Sequence, residues 1–156
     1  MRLNSDFCLK KYGIYVRLVN EEDANFIVKL RTDPKLGRFI HSTDDDVEKQ
    51  KQWIRDYKIR ESRGLDYYFI YYYNDKPFGL NRICNILNLS ATGASGICEK
   101  NLSMELPILS ILINREIFFE ILDIKEDLFD VRLKNLKVQK LHKMFGAKEV
   151  DRNELD

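Results

Sequence analysis

The sequence predicts a single α/β domain in which helices flank a mixed, mostly antiparallel central sheet. Three observations predict it. Short runs that alternate or stay apolar, such as Ile14–Leu18 and Tyr67–Tyr73, read as strands. Longer stretches with helical spacing of apolar residues lie between them, each bounded by a cap or a stop. The chain of 156 residues contains no repeat, linker or low-complexity tract that would divide it. A chain of this length buries roughly 68–70% of its unfolded surface, so one core suffices without disulfides or metal.

In order, Ile14–Leu18 alternates as a half-buried strand, and Asn20 before Glu21, Glu22 and Asp23 supplies a helix cap with acidic first-turn residues. The helix that follows carries Ala24, Ile27, Val28 and Leu30 on one face and stops at Asp33-Pro34. Residues 37–43 read as a polar loop. A second helix starts near Asp44 to Asp46 and runs to Arg63, with Val47, Trp53, Ile54 and Tyr57 inward and Gly64 as its stop. Tyr67–Tyr73 and residues 78–86 read as a hairpin about the turn Asn74-Asp75-Lys76-Pro77. Residues 87–93 read as a polar stretch before a short strand of weak propensity over 94–99. Pro107 is placed as the first residue of a buried helix that continues over 108–121. Residues 127–133 read as the next strand, 135–145 as an amphipathic helix ending at Gly146, and 148–150 as a last strand. The order is β-α-α-β-β-β-α-β-α-β.

Composition excludes several classes. With 44% hydrophobic and 33% charged residues the chain is neither disordered nor fibrous. The 26 basic and 25 acidic residues nearly cancel, which argues against nucleic acid as a partner. Cys8, Cys84 and Cys98 are odd in number and widely spaced, which disfavours a disulfide framework or a zinc site and suits a reducing cytoplasm. No signal core and no membrane-length apolar run stand out, so neither membrane insertion nor secretion is expected.

The most specific stretch is Asn135-Leu136-Lys137-Val138-Gln139-Lys140-Leu141-His142-Lys143-Met144-Phe145-Gly146-Ala147. It resembles the C-terminal signature N-x-x-A-x-x-x-[Y/H]-x-x-x-G-[F/A] of the GNAT acyltransferases. Arg17-Leu18-Val19-Asn20-Glu21-Glu22-Asp23, Leu30-Arg31-Thr32-Asp33-Pro34 and Lys51-Gln52-Trp53-Ile54 are similar to the branch holding ribosomal-protein and amino-sugar N-acetyltransferases. The resemblance spans residues 14–150.

It implies a GNAT-like sheet whose fourth strand splays from the fifth, with acetyl-CoA as cosubstrate and no metal. Backbone near Ile97, Cys98 and Glu99 would pair with the pantetheine arm. Lys100, Asn101, Ser103 and Ile108, around the start of the next helix, would hold the diphosphate, an anion suited to a helix N-terminus. The family loop Q/R-x-x-G-x-G/A is replaced here by Lys100-Asn101-Leu102-Ser103-Met104-Glu105-Leu106-Pro107, which contains no glycine. Glu105 and Pro107 work against diphosphate binding unless Glu105 turns outward and Lys100 inward.

His142 stands in the column of the family's tyrosine acid and is the candidate proton donor, the alternative being a half-exposed helix residue. Glu99 is the candidate base or else a solvated charge. Asn135 is expected to touch the cofactor arm, to cap the last helix, or both. Arg38, His41 and Ser42, facing the aromatic strand Tyr67–Tyr73, would bind a polar acceptor amine. Cys84 and Cys98 read better as buried, inert thiols than as nucleophiles. Asp44 to Asp46 reads better as a helix cap than as a metal site.

The activity implied is N-acetyl transfer to a primary amine, of a nucleotide-linked amino sugar or a protein N-terminus. The alternative is a degenerate GNAT fold that binds or assembles without turnover. The family's seventh strand has no counterpart before Asp156, so the final strand reads as missing or truncated, and either a partner subunit covering the unpaired edge, as in a homodimer, or poor behaviour as a monomer is expected.

Overall fold

The computed structural model describes residues 2–36 and 44–152, with residues 94 and 95 described by their backbone alone. Six strands form one sheet in the order of the chain: β1 (Cys8–Lys11), β2 (Ile14–Leu18), β3 (Tyr67–Tyr73), β4 (Lys76–Leu87), β5 (Ser90–Cys98) and β6 (Glu126–Asp127). Neighbours are antiparallel up to β5, and β6 joins β5 in parallel. Helices α1 (Ala24–Thr32), α2 (Val47–Ser62), α3 (Glu105–Glu116) and α4 (Leu136–Met144) flank it. The last turns of α3 widen into a π-helical segment, Ile117–Ile121.

Local chemistry sets the boundaries. Asn20 Oδ1 accepts from the Glu22 amide at 3.0 Å while Asp23 Oδ2 accepts from the Asn20 amide at 2.8 Å, a reciprocal cap that starts the helical turn ahead of α1. Arg17 locks this turn to the sheet, donating to both oxygens of Asp23 at 2.8 and 2.7 Å and to Tyr72 Oη at 2.7 Å. Asp46 caps α2 through the amides of Glu48 and Lys49, and Gly64 turns the chain at φ 73° beyond it. Asn74 and Asp75 both adopt left-handed backbone between β3 and β4, as a tight hairpin requires.

Alternation along β3 divides the core. Tyr67, Phe69 and Tyr71 join Ile14, Val16 and Ile83 under α3 and the π-helical segment after it, where Ile113, Ile117 and Phe118 are fully buried. Tyr68 and Ile70 face the other way, with Leu80 and Ile97, against Ile27, Leu30, Ile54 and Tyr57 of α1 and α2. The aromatic strand therefore builds core on both faces.

Several expectations are corrected. β1 precedes the first expected strand and pairs with β2 around Tyr12-Gly13, where both residues have positive φ. β5 begins at Ser90, because Asn88 turns left-handed and closes a hairpin with β4 where a polar stretch was expected. Residues 127–133 do not form a strand of that length: only Glu126 and Asp127 pair, with Ser90 and Ala91. Residues 148–150 are not a strand, having no partner within the sheet. Pro107 is the third residue of α3 rather than the first; α3 starts at Glu105.

Candidate functional site

Where β6 leaves β5, the sheet opens. The backbone ladder between them ends with Leu128 N–H donating to Ala91 O at 2.9 Å. At Gly93 side chains replace the ladder: its N–H donates to Asp127 Oδ1 at 2.8 Å, and Asn114 Nδ2 of α3 donates to its carbonyl at 3.1 Å. Among the described residues, no strand pairs with β5 on that side beyond Ala91. Burial raises the Asp127 carboxyl above its ordinary range, partly opposed by the Gly93 amide bonded to it.

At the far end of β5 the Glu99 amide donates to Phe78 O at 2.7 Å, and the Lys29 ammonium of α1 donates to Glu99 Oε1 at 2.8 Å. Lys100 pairs with Asp33 Oδ2 at 2.6 Å, just past the end of α1, and this bond is the leading cause that draws the Asp33 carboxyl down to about 2. The strand-to-helix connection is thus tied to α1 by two ion pairs, and Lys100 is given to Asp33. The glycine-free loop makes its turn at Asn101, which adopts φ 59°, a conformation asparagine tolerates better than most residues. The α3 N-terminus that follows has no side-chain cap at Met104, and Glu105, in its first turn, is exposed. Of its first amides, that of Leu106 donates to Ser103 O at 3.3 Å and Pro107 has none, so the terminus offers few donors to an anion.

Ile97 is buried under α1 and α2, whereas Ser103 and Ile108 lie at the surface around the helix start. Burial pushes the Cys98 thiol up to about 11 and the Cys84 thiol upward as well, which makes both poor nucleophiles.

Asn135 caps α4, its Oδ1 accepting from the Val138 amide at 3.4 Å. Helix α4 buries none of its residues fully and is held by contacts at its edges. The His142 ring lies 4.5 Å from that of Phe129, and Arg115 of α3 sits 5.6 Å from the rings of both Phe119 and Phe145. His142 Nδ1 is buried without a hydrogen-bond partner among the described residues. Burial, and secondarily the Arg115 charge, lower its pKa, so the imidazole is neutral at pH 7.

Arg38, His41 and Ser42 lie outside the described residues. Asp46 serves as a cap and Asp44 pairs with Lys49 at 2.7 Å; no cluster of metal-ligating side chains occurs among the described residues. Sequence reasoning missed Asp127, Asn114 and Gly93, which come from three elements and carry no local motif.

Comparison with solved structures decides the family. Apo FdhC, a nucleotide-linked sugar GNAT, superposes with a TM-score of 0.84 at 35% identity, over 96% of this chain and 86% of that one. The chain belongs to the GNAT superfamily. Two further acetyltransferase structures share the fold alone. The ribosomal-protein-S5-alanine acetyltransferase from Vibrio fischeri has a TM-score of 0.74 at 14% identity, over 90% of this chain and 82% of that one. A spermidine N-acetyltransferase SpeG mutant from Vibrio cholerae has a TM-score of 0.71 at 18% identity, over 90% and 83%. No family model and no curated protein sequence matches. Within the GNAT fold, β5 and β6 stand where the resemblance placed the splayed strands, and the α3 N-terminus follows at the open end.

Proposed function

We propose that this GNAT chain transfers an acetyl group from acetyl-CoA to the primary amine of a nucleotide-linked amino sugar. The observation that carries the reading is the open edge of β5 leading into the uncapped start of α3. The amino-sugar class rests on the 35% identity to a nucleotide-linked sugar GNAT. The residues present fit the cosubstrate. Of the backbone at Ile97, Cys98 and Glu99, the Cys98 peptide faces the open strand edge while the Glu99 amide is taken by Phe78 O; the left-handed Asn101 turns the chain toward α3, and the exposed Ser103 offers a donor to a diphosphate. Ile108, one turn further on, offers an apolar surface, and Asn135 sits at the head of α4.

When bound, acetyl-CoA supplies an acyl group activated as a thioester. The chain's part is then positioning and proton transfer. Glu99, held by Lys29 through Oε1, takes up the proton that the acceptor ammonium gives up before its nitrogen attacks. His142 would supply the proton that the departing sulfur takes up, and the second proton shed by the attacking nitrogen as the amide forms would restore it. Because burial disfavours its charged form, the imidazolium is a minor species at pH 7 and is drawn upon only as the thiolate forms. Arg38, His41 and Ser42 are assigned to the acceptor.

The test is thiol release from acetyl-CoA in the presence of a nucleotide-linked amino sugar, a peptide N-terminus and a polyamine. Turnover preferring the nucleotide-linked amine supports the reading; preference for either other amine removes the acceptor assignment. A second reading, a GNAT fold that binds without turnover, is favoured by Glu105 and Pro107 in the first turn of α3. Measurable turnover with any amine ends it.

A further inference from the structure

The opening between β5 and β6 has a cause in three residues. In a parallel ladder that continued past Ala91, the next inward-facing peptide, that of Gly93, would bond to the backbone of the chain following Asp127. Here the Asp127 carboxylate takes the Gly93 N–H at 2.8 Å and the Asn114 amide fills its carbonyl at 3.1 Å, so neither group is left for a strand partner. Bulky packing reinforces this. A Cβ on Gly93 would lie 3.0 Å from Cδ2 and Cε2 of Phe118 and 3.2 Å from Asp127 Oδ2, so a side chain there would press ring and carboxylate away from the strand.

Beyond this point the peptide groups alternate. The Glu99 amide bonds to Phe78 and Ile97 is paired with Leu80, which turns those peptides toward β4 and those of Gly96 and Cys98 toward the opening. Asn114 itself is buried, and its Oδ1 has no partner among the described residues, an unsatisfied acceptor kept beside Gly93.

Resting on the acyl-CoA reading above, we propose that Asp127 and Asn114 are positioning residues. By occupying both peptide groups of Gly93 they end the β5–β6 ladder at Ala91. The edges of Gly96 and Cys98 are thereby kept free for the amide-bearing arm of the cosubstrate. Asp127 acts here through one accepted hydrogen bond, which an asparagine also supplies; alanine does not.

The experiment combines residue-resolved amide hydrogen exchange with calorimetric titration of coenzyme A, on the wild type, Asp127→Ala, Asp127→Asn and Asn114→Asp. The Gly93 amide is expected to exchange slowly in the wild type and Asp127→Asn, and fast in Asp127→Ala. Coenzyme A is expected to bind roughly tenfold more weakly to Asp127→Ala and to Asn114→Asp, with Asp127→Asn within about threefold of the wild type. A purely structural role would lower the melting temperature and leave affinity unchanged. Wild-type affinity in folded Asp127→Ala therefore overturns the proposal, and if that variant does not fold, wild-type affinity in Asn114→Asp does so. A wild-type chain that binds no coenzyme A removes the functional reading instead. Exchange then decides: a Gly93 amide slowed by Asp127 keeps the wedge, and one equally fast with and without the carboxylate ends it.

Discussion

Asp66 is where a single substitution should damage this GNAT fold most. The residue is 2% exposed, and two arginines end on it: Arg82 donates to Oδ1 and Oδ2 at 2.9 and 2.6 Å, and Arg60 to Oδ2 at 3.0 Å. Trp53 lies against both guanidinium groups, at 5.1 and 5.3 Å. The cluster joins the C-terminal end of α2 to β4. Asp66→Ala removes the carboxylate and leaves Arg82, whose side chain is 30% exposed, in a partly desolvated position with no counter-ion. Breaking one side of a buried pair costs about 3–5 kcal/mol. Both arginine side chains, 37% exposed for Arg60 and 30% for Arg82, recover water, which favours the lower end, about 3 kcal/mol. With a urea slope of about 2 kcal/mol per molar for a domain of this size, the unfolding midpoint should fall by about 1.5 M. Equilibrium unfolding followed by far-UV circular dichroism and Trp53 fluorescence reads this directly. Asp44→Ala, which breaks the exposed pair with Lys49, serves as control and should barely move the midpoint. A shift for Asp66→Ala no larger than that of the control would refute the reasoning.

His142 gives a pH signature. Its folded pKa lies below the ordinary 6.5, so the unfolded chain takes up this proton first as pH falls. The stability held by the neutral imidazole is complete above about 6.5 and is lost as pH drops from there through the lower folded value. His142→Gln should flatten that part of the melting-temperature profile, and an unchanged slope between pH 7 and 5.5 would contradict the assignment. In the same variant kcat should fall more than KM changes, as for a group acting only as the thiolate departs. At Asn101, whose φ is 59°, Asn101→Gly should fold and bind coenzyme A as well as the wild type, whereas Asn101→Val should cost about 1–2 kcal/mol and weaken binding. Equal behaviour of the two variants would show that the left-handed turn is not needed.

Much of the fold was legible where boundaries are set by local chemistry. Asn20 with Asp23, Asp46, Asp33-Pro34 and Gly64 each fix an element end by a bond or a backbone preference within a few residues, and each stands as the sequence indicated. The Tyr67–Tyr73 strand was clear for a similar reason, since so many aromatic and β-branched neighbours suit a pleated, buried surface. β1 was not, because Cys8-Leu9-Lys10-Lys11 is an exposed edge with no alternation strong enough to mark it. Residues 127–133 do alternate, yet a strand needs a partner, and Gly93 gives its peptide groups to side chains after two paired residues. The site divides along the same line. The motif from Asn135 to Ala147 was visible as a pattern, and Asn135 does cap its helix. The ties of Lys29 to Glu99 and of Asp33 to Lys100 join residues about 70 apart, which no local pattern encodes. The inward turn considered for Lys100 could not be judged from sequence because its competitor, Asp33, lies in another element.

Binding of the cosubstrate is the claim on which the rest depends, and calorimetric titration of acetyl-CoA into the folded wild-type chain tests it most directly, with Asn135→Ala alongside. The account expects one site per chain with affinity in the micromolar range, weakened by Asn135→Ala, since the edge of β5 beyond Ala91 has no strand partner among the described residues. A chain that melts cooperatively yet releases no binding heat and gains no thermal stability from millimolar acetyl-CoA would contradict it.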